Sequence, residues 1–333
     1  MRILLVTDAW SPQINGVVVT LKNTLRELQR GGHDVGMITP TEFLTLPCPT
    51  YPEIRLALLP GRRVAEQIAA FDPDAIHIAT EGPLGTAARR ACLAAGRPFT
   101  TAYHTQFPEY VHARSRLPVG ITYAWLRRFH GSAKAVMVGT PEIERRLAAR
   151  GFVNLVRWSR GVDTDLFKPG VRNVEAAPRP IFLYVGRVAV EKNIESFLRL
   201  DLPGTKWVVG DGPARGTLER QFPTAVFRGM KTGTDLAWHY QQADALVFPS
   251  RTDTFGLVLI EAMACGTPVA AFPVTGPIDV VQGGESGVLA DDLRSAALSA
   301  VALDRNIVAR HGRGYSWQAA TAQFVANLYP RRG

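Results

Sequence analysis

Short apolar runs recur along the chain, and each is followed by a polar or glycine-rich turn and then by a segment with helical spacing. In the first half these runs predict strands at 2–7, 35–39, 74–79, 99–103 and 136–140. In the second half they predict strands at 181–185, 206–209, 225–228, 245–248, 269–272 and 287–289. Strands that alternate with helices indicate parallel, doubly wound sheets. The pattern therefore predicts an α/β protein with two Rossmann-like domains, which we expect to face a cleft.

The predicted domain limits follow from composition. A chain of 333 residues is long enough for two domains with cores of their own. Residues 168–180 hold three prolines and few large apolar side chains, as is typical of an interdomain connection. We expect a first domain at 1–170, a second at 171–312, and a C-terminal segment at 313–333 that contains an amphipathic helix capped by Ser316.

Overall composition narrows the class of protein. The chain is 46% hydrophobic and 20% charged, which is ordinary for a soluble globular protein. Its three cysteines lie far apart, so they predict neither a zinc site nor a disulfide framework. The apolar run after Arg2 stops at Asp8, too early for a signal peptide, and no run approaches a membrane span of roughly 18 residues. We expect a cytoplasmic protein whose membrane contact, if it has one, is peripheral.

Positive charge is concentrated in the first half. Residues 1–170 hold 21 Lys and Arg against 14 Asp and Glu, whereas residues 171–333 hold 17 against 15. Within the basic stretch 111–160, a predicted helix interleaves aromatic and basic side chains, namely Tyr123, Trp125, Arg127 and Arg128. Such a helix indicates contact with an anionic membrane surface. A packed helix with solvated arginines fits equally well, and no nucleic-acid motif accompanies the charge.

Two carboxylates mark a candidate ligand site in the second half. Asp253 lies in a loop before a predicted helix, and Glu261 lies about two turns into that helix. Between them, the backbone N–H groups of Phe255, Gly256 and Leu257 would point at a bound anion. A sugar nucleotide has the matching order of groups, with sugar hydroxyls, a diphosphate and a ribose diol. An ordinary helix-start acid and a solvated glutamate remain the alternative interpretation.

Cations and glycines add to this candidate site. Gly186 and Arg187 end a predicted strand, and Lys192 follows shortly after, where open α/β sheets bind ligands. Both cations could neutralise a departing diphosphate. Gly16 precedes a predicted helix and would allow a phosphate to approach the backbone closely, although a lone glycine is more often a turn residue. The GxGxxG fingerprint is absent there, which disfavours a nicotinamide cofactor.

These residues together carry a family resemblance. The segments 186–187, 191–193, 210–213 and 253–261 resemble the donor half of a family 4 retaining glycosyltransferase of the GT-B type. The family usually has glutamates at both acidic positions, whereas this chain has the shorter Asp253 at the first. The segments 12–18, 80–85 and 104–110 resemble the branch that glycosylates diacylglycerol and related lipids, including sulfoquinovosyl and GDP-mannose-dependent members.

The resemblance implies a role for each candidate residue. His104, Arg187, Lys192 and Asp253 would be catalytic, with the histidine and aspartate at the sugar and the two cations at the diphosphate. The other donor contacts would be Gly16, Gly186, Met230, Lys231, Phe255, Gly256, Leu257 and Glu261, with Met230 and Lys231 beside the base and Glu261 at the ribose. The acceptor and membrane residues would be Glu81, Tyr123, Trp125, Arg127 and Arg128.

The reaction implied is transfer of a hexose from a UDP- or GDP-linked donor to a lipid hydroxyl, with retained configuration, at the inner face of the plasma membrane. It needs no cofactor, and no DxD metal motif lies near the end of a predicted strand. The family also implies that the C-terminal helix packs back on the first domain. Two alternatives stay open, a hexosyltransferase with a non-lipid acceptor and a sugar-nucleotide epimerase.

Overall fold

The computed structural model describes residues 1–13, 15–48, 51–106, 108–109, 116, 118–172 and 177–331, with the side chains of 51–53 left out. Contacts divide the chain into two compact units. Unit 1 consists of Met1–Ser159 and Trp317–Gly333, and unit 2 is Arg160–Ser316.

Unit 1 is built on a parallel sheet with the strand order β2-β1-β5-β6-β7-β8. Its strands are β1 Arg2–Val6, β2 Asp34–Ile38, β5 Ala75–Ile78, β6 Thr100–Tyr103, β7 Ala135–Val138 and β8 Leu155–Arg157. Its helices are α1 Gly16–Arg30, α2 Gly61–Phe71, α3 Pro83–Ala94, α4 Val119–His130 and α5 Pro141–Ala148. The strands β5, β6 and β7 are buried along their whole length, because helices cover both faces of a parallel sheet.

An antiparallel hairpin stands apart from this sheet. Strand β3, Thr45–Cys48, pairs with β4, Tyr51–Ala57, and neither strand joins the parallel sheet. Thr45 lies opposite Ala57 and Leu46 opposite Leu56. This hairpin was not predicted from the sequence.

Unit 2 repeats the architecture with the strand order β11-β10-β9-β12-β13-β14. Its strands are β9 Ile181–Val185, β10 Thr205–Val209, β11 Val226–Gly229, β12 Ala245–Phe248, β13 Val269–Ala271 and β14 Gly287–Leu289. Its helices are α6 Ile194–Leu198, α7 Arg215–Gln221, α8 Gly233–Gln242, α9 Leu257–Ala264, α10 Pro277–Val280, α11 Leu293–Ala300 and α12 Arg305–Arg313. Two parallel-sheet α/β units confirm the predicted fold class.

Strand order reverses once in each sheet, and the reversal fixes where ligands bind. In unit 1 the chain leaves β1 for β2 on one side and returns to β5 on the other, so the switch lies between β1 and β5. In unit 2 it lies between β9 and β12. Open α/β sheets bind ligands at such switch points, outside the carboxyl ends of the strands.

The last helix, α13 Trp317–Ala326, belongs to unit 1. Phe324 is fully buried, and its ring centroid lies 4.9 Å from those of both His77 and Trp158. The first unit boundary falls before the predicted limit at residue 170, because Val162 and Phe167 pack into the core of unit 2.

Candidate active site

An ion pair bridges the switch point of unit 2. Lys192 follows β9, Asp253 follows β12, and Lys192 Nζ lies 2.6 Å from Asp253 Oδ1. Both side chains are mostly buried, at 20% and 18% exposure. From the sequence, each of these residues was expected to contact a ligand separately, and the ion pair between them was not predicted. Arg187 lies half-buried at the end of β9, and its carbonyl oxygen accepts from the Tyr184 hydroxyl at 2.7 Å.

Glycines bring the loops after β9 and β10 into backbone contact. A Cβ on Gly210 would lie 1.9 Å from the carbonyl oxygen of Gly186, and one on Gly212 would lie 2.4 Å from that of Val188. Only residues without side chains allow this approach. The carboxyl edge of the sheet is therefore lined by backbone beside Arg187, as a phosphate site requires.

The loop after β12 turns sharply into α9. Gly256 has φ +83° and precedes Leu257, the first helical residue. Phe255 is buried, with its ring centroid 6.1 Å from that of Tyr315. The turn at Gly276, with φ +93°, packs against this loop, since a Cβ there would lie 3.2 Å from the Phe255 carbonyl oxygen. This packing holds the start of α9 at the switch point.

Glu261 lies on α9 with its carboxylate against a tyrosine. The Tyr240 hydroxyl donates to Glu261 Oε2 at 2.8 Å. Burial raises the pKa of Glu261 from 4.5 to about 7, and the tyrosine hydrogen bond opposes part of that rise. A carboxyl group with such a pKa is a candidate for function rather than a solvated surface acid. Tyr240 was not singled out from the sequence.

Met230 and Lys231 follow β11, at the same edge of the sheet. Met230 is 45% exposed. Lys231 Nζ lies 3.5 Å from Asp235 Oδ2, in the first turn of α8. All of the predicted donor residues of unit 2 therefore lie at the carboxyl ends of its strands or in the helix that follows β12.

In unit 1, a buried carboxylate organises the switch point. Asp8, after β1, accepts hydrogen bonds from Thr80 Oγ1 at 2.8 Å, Leu84 N at 2.8 Å and Gly85 N at 3.2 Å. Burial raises its pKa above the ordinary value, against the effect of these hydrogen bonds. A Cβ on Gly82 would lie 2.4 Å from Asp8 Cγ, so the turn after β5 fits closely over this carboxylate.

That turn holds Glu81 in place. Glu81 Oε1 lies 3.2 Å from His130 Nε2, and His130 Nδ1 lies 2.9 Å from Thr101 Oγ1. His130 is 1% exposed, whereas the Glu81 side chain is 22% exposed. A buried histidine therefore fixes a carboxylate that remains accessible. His130 was not singled out from the sequence.

His104 and Gly16 lie near the same edge of the unit 1 sheet. His104 follows β6, and its ring stands edge-on to Trp158 with centroids 5.5 Å apart. Gly16 is the exposed first residue of α1, and the preceding Asn15 caps the helix by accepting from Val17 N and Val18 N. Residues 111–115 and 117 of the predicted basic stretch 111–160 lie outside the described residues.

Helix α4 presents two different faces. Tyr123 is only 4% exposed, and its hydroxyl donates to Glu109 Oε1 at 2.7 Å. Tyr123 is therefore a core residue of unit 1, and its expected contact with an acceptor or a membrane stays a prediction. Trp125 is 45% exposed, and Arg127 and Arg128 are exposed beside it.

A groove of about 960 Å³ runs along α3 in unit 1. Its walls are α2, the end of β4 and Trp125, and Glu81 lies where α3 begins. The lining on α3 reaches from Pro83 to Ala94, and a helix of 12 residues is about 18 Å long. Most of the lining is apolar, with Arg62 and Arg90 as its cations. Glu81 and Trp125, both assigned to the acceptor from the sequence, thus line one groove.

Two kinds of feature are absent from the described part of the chain. No helix in it is long and apolar enough to span a bilayer. Within the same residues, no three His, Cys, Asp or Glu side chains are grouped so that they could hold a metal ion.

Comparison with known proteins identifies the family. Residues 14–166 match Glycosyltransferase Family 4, and residues 179–304 match Glycosyl transferases group 1. The chain is 30% identical to a GDP-mannose-dependent alpha-mannosyltransferase of Mycobacterium tuberculosis, over 87% of this chain and 83% of that protein. The chain belongs to glycosyltransferase family 4. This glycosyltransferase is also 30% identical to the sulfoquinovosyl transferase SQD2 of Arabidopsis thaliana, over 95% of the chain and 71% of that protein.

More distant likenesses agree with the family assignment. An alpha-monoglucosyldiacylglycerol synthase of Streptococcus pneumoniae is 26% identical, over 81% of the chain and 71% of that protein. Among solved structures, a sucrose-phosphate synthase from Thermosynechococcus elongatus has a TM-score of 0.77 at 22% identity, covering 98% of this chain and 97% of its own. Anabaena HepE in complex with UDP-glucose has a TM-score of 0.74 at 16% identity, covering 98% of each chain. The predicted GT-B fold is confirmed, and the glycosyltransferase uses a nucleotide-sugar donor.

Proposed function

We propose that this glycosyltransferase moves a hexose from a UDP- or GDP-linked donor to the hydroxyl group of a membrane lipid, with diacylglycerol as the first candidate, at the inner membrane surface. The α3 groove carries the proposal. Its length of about 18 Å is close to the roughly 15 Å depth of one bilayer leaflet's hydrocarbon. An acyl chain along the apolar α3 wall would leave a glycerol hydroxyl beside Glu81.

The relatives support a lipid acceptor and leave the donor open. One relative is named as a monoglucosyldiacylglycerol synthase and another as a sulfoquinovosyl transferase. The mannosyltransferase relative favours a second candidate, transfer of mannose from GDP-mannose. We infer the same acceptor groove for either donor.

In the proposed reaction the bond between the sugar C1 and the diphosphate oxygen breaks, and a new bond from C1 to the acceptor oxygen forms on the same face. The acceptor proton passes to the departing diphosphate. Arg187 and Lys192 stabilise the negative charge that grows on that diphosphate. Asp253 holds Lys192 in position through the 2.6 Å ion pair and accepts from a sugar hydroxyl through its other oxygen. Glu261 accepts from the ribose diol, and His104 orients the sugar.

The test is turnover of UDP-glucose, UDP-glucuronate, UDP-galactose and GDP-mannose by the purified protein, with and without diacylglycerol in phosphatidylglycerol-containing vesicles. The expected product is a new glycolipid whose sugar has the same anomeric configuration as the donor, as determined by NMR. Release of nucleotide diphosphate without any lipid dependence would contradict the lipid acceptor. A changed sugar nucleotide formed without acceptor would indicate the epimerase instead.

Two variants test the donor chemistry. Lys192→Ala and Arg187→Ala should each lower kcat by about 10²–10³, the usual effect of losing one group that stabilises transition-state charge. The exposed Lys134 and Arg310 provide the matched controls, because Lys134→Ala and Arg310→Ala remove the same charges away from both switch points. Near-normal turnover in either site variant would refute its assigned role.

A further inference from the structure

The β3–β4 hairpin turns leucines outward. Leu44, Leu46 and Leu58 are 82%, 56% and 46% exposed. Leu58 N donates to Leu44 O at 2.8 Å, so these two residues lie opposite each other just beyond the paired strands. Because side chains alternate along a strand, Ala57 points the other way and is buried in the unit 1 core. A two-stranded hairpin with leucines on its solvent face is unusual for a surface that meets only water.

Leu59 extends this surface. It is 97% exposed, and its φ of +45° lies in the left-handed region that a bulky side chain rarely adopts. Backbone strain of this kind is found where a particular presentation of a residue has a use. Leu59 also lines the α3 groove together with Ala57. The leucine face, defined as Leu44, Leu46, Leu58 and Leu59, is therefore continuous with the groove opening.

Basic side chains accompany the leucine face. Arg62 and Arg90 line the groove, and Arg63 is exposed next to Arg62, with its guanidinium 5.1 Å from the centre of the Phe43 ring. Glu66 is the carboxylate that pairs with Arg62, at 2.8 Å. Glu42, at the start of the hairpin, accepts from Gln67 Nε2. Arg55 is also exposed on β4, and Glu81 also lines the groove, so among the described side chains four arginines stand against three carboxylates and the excess around the leucine face is positive.

We propose that the leucine face is the membrane-docking surface of the enzyme, with the leucines among the headgroups and acyl chains of an anionic bilayer and the arginines on its phosphates. The inference rests on the proposed function, since docking by this surface would let the acyl chain of a lipid acceptor pass from the bilayer into the α3 groove beside Leu59. Apolar side chains flanked by cations are what an anionic interface binds. A symmetric pairing with a second copy would bring each arginine cluster near its own counterpart, and like charges oppose such pairing. This surface differs from helix α4, the other candidate for membrane contact.

The experiment measures partition of the full chain onto sedimented vesicles of phosphatidylcholine alone or mixed with phosphatidylglycerol. The double variant Leu44→Gln, Leu46→Gln should lower the partition coefficient by about tenfold or more, because two apolar side chains leave the interface. Arg63→Gln should lower it about fivefold, on the anionic vesicles only. Leu93→Gln and Arg310→Gln change exposed residues outside this surface, and these variants should bind as the unaltered chain does.

The outcomes distinguish failure of the docking surface from failure of the proposed function. If the leucine variant loses vesicle binding but still glycosylates a water-soluble short-chain diacylglycerol at the normal rate, both proposals stand. If the unaltered chain binds vesicles through these residues yet glycosylates no lipid, the surface stands and the proposed acceptor is wrong. Unchanged binding of the leucine variant overturns the inference. The inference is also overturned if the double variant Arg127→Gln, Arg128→Gln loses vesicle binding while the leucine variant keeps it. It is overturned as well if sedimentation shows that the leucines hold two copies of the chain together.

Discussion

Replacing Glu261 by glutamine should make the unliganded protein more stable above pH 7. Burial raises the pKa of this carboxyl group from 4.5 to about 7. A folded state with the higher pKa binds the proton more tightly than the unfolded chain, so folding is penalised once the group ionises. The penalty is absent below about pH 4.5, grows between pH 4.5 and 7, and is complete above pH 7. A rise of this size corresponds to roughly 3 kcal/mol.

Glu261→Gln keeps the shape of the side chain and the acceptor for the Tyr240 hydroxyl while removing the charge. Urea unfolding at pH 5 and pH 8, followed by fluorescence, should show the variant gaining up to about 3 kcal/mol over the unaltered chain at pH 8 and much less at pH 5. Tyr240→Phe is the opposing control. It removes the hydrogen bond that lowers the pKa of Glu261, and it should destabilise the protein at pH 8.

The same substitution should weaken donor binding, since glutamine cannot accept from both hydroxyl groups of a ribose diol. Titration calorimetry with the nucleotide diphosphate should show the affinity of the unaltered chain falling below pH 7, where Glu261 takes up a proton. The reasoning would be refuted by an E261Q variant that is less stable than the unaltered chain at pH 8. It would also be refuted if the unfolding free energy of E261Q depended on pH in the same way as that of the unaltered chain.

Two further substitutions test the supports of unit 1. Asp8→Ala should lower the free energy of unfolding by about 2–4 kcal/mol, because it leaves two buried backbone N–H groups at the start of α3 without an acceptor. Asp34→Ala, at an exposed strand end, should lower it by under about 1 kcal/mol. Phe324→Ala should cost about 3–5 kcal/mol of unfolding free energy, and Val325→Ala, one position along at a half-buried side chain, should cost clearly less. Both pairs are compared by thermal unfolding, and equal losses within either pair would contradict the assigned packing.

The sheets could be predicted because their strands are continuous apolar runs. The segments 181–185, 245–248 and 287–289 have the same bounds in the sequence analysis and in the structure. The β3–β4 hairpin was missed for the opposite reason. Leu44, Leu46 and Leu58 are exposed, and among the described side chains of the two strands Ala57 is the one that is buried, so the usual relation between an apolar stripe and burial is reversed.

The candidate site was predictable residue by residue, but its internal contacts were not. The Lys192–Asp253 ion pair joins residues 61 positions apart, and the Tyr240–Glu261 hydrogen bond joins residues 21 apart. No local pattern reports such a contact. The inward position of Tyr123 could have been found, because it shares helical spacing with Leu126 and Phe129, which are also buried.

The return of α13 to unit 1 has a consequence for biosynthesis. Residues 160–316 are made between the two segments that build unit 1, so unit 2 can complete its core while unit 1 still lacks Phe324. Until then His77 and Trp158 lack an aromatic partner from α13. Domains generally fold in the order in which they leave the ribosome, whereas here the last segment of unit 1 is synthesised after all of unit 2. Termination after residue 316 would release a chain in which unit 2 has all of its residues and the rings of His77 and Trp158 lack the cover of Phe324. We expect chaperones and proteases to recognise such a chain.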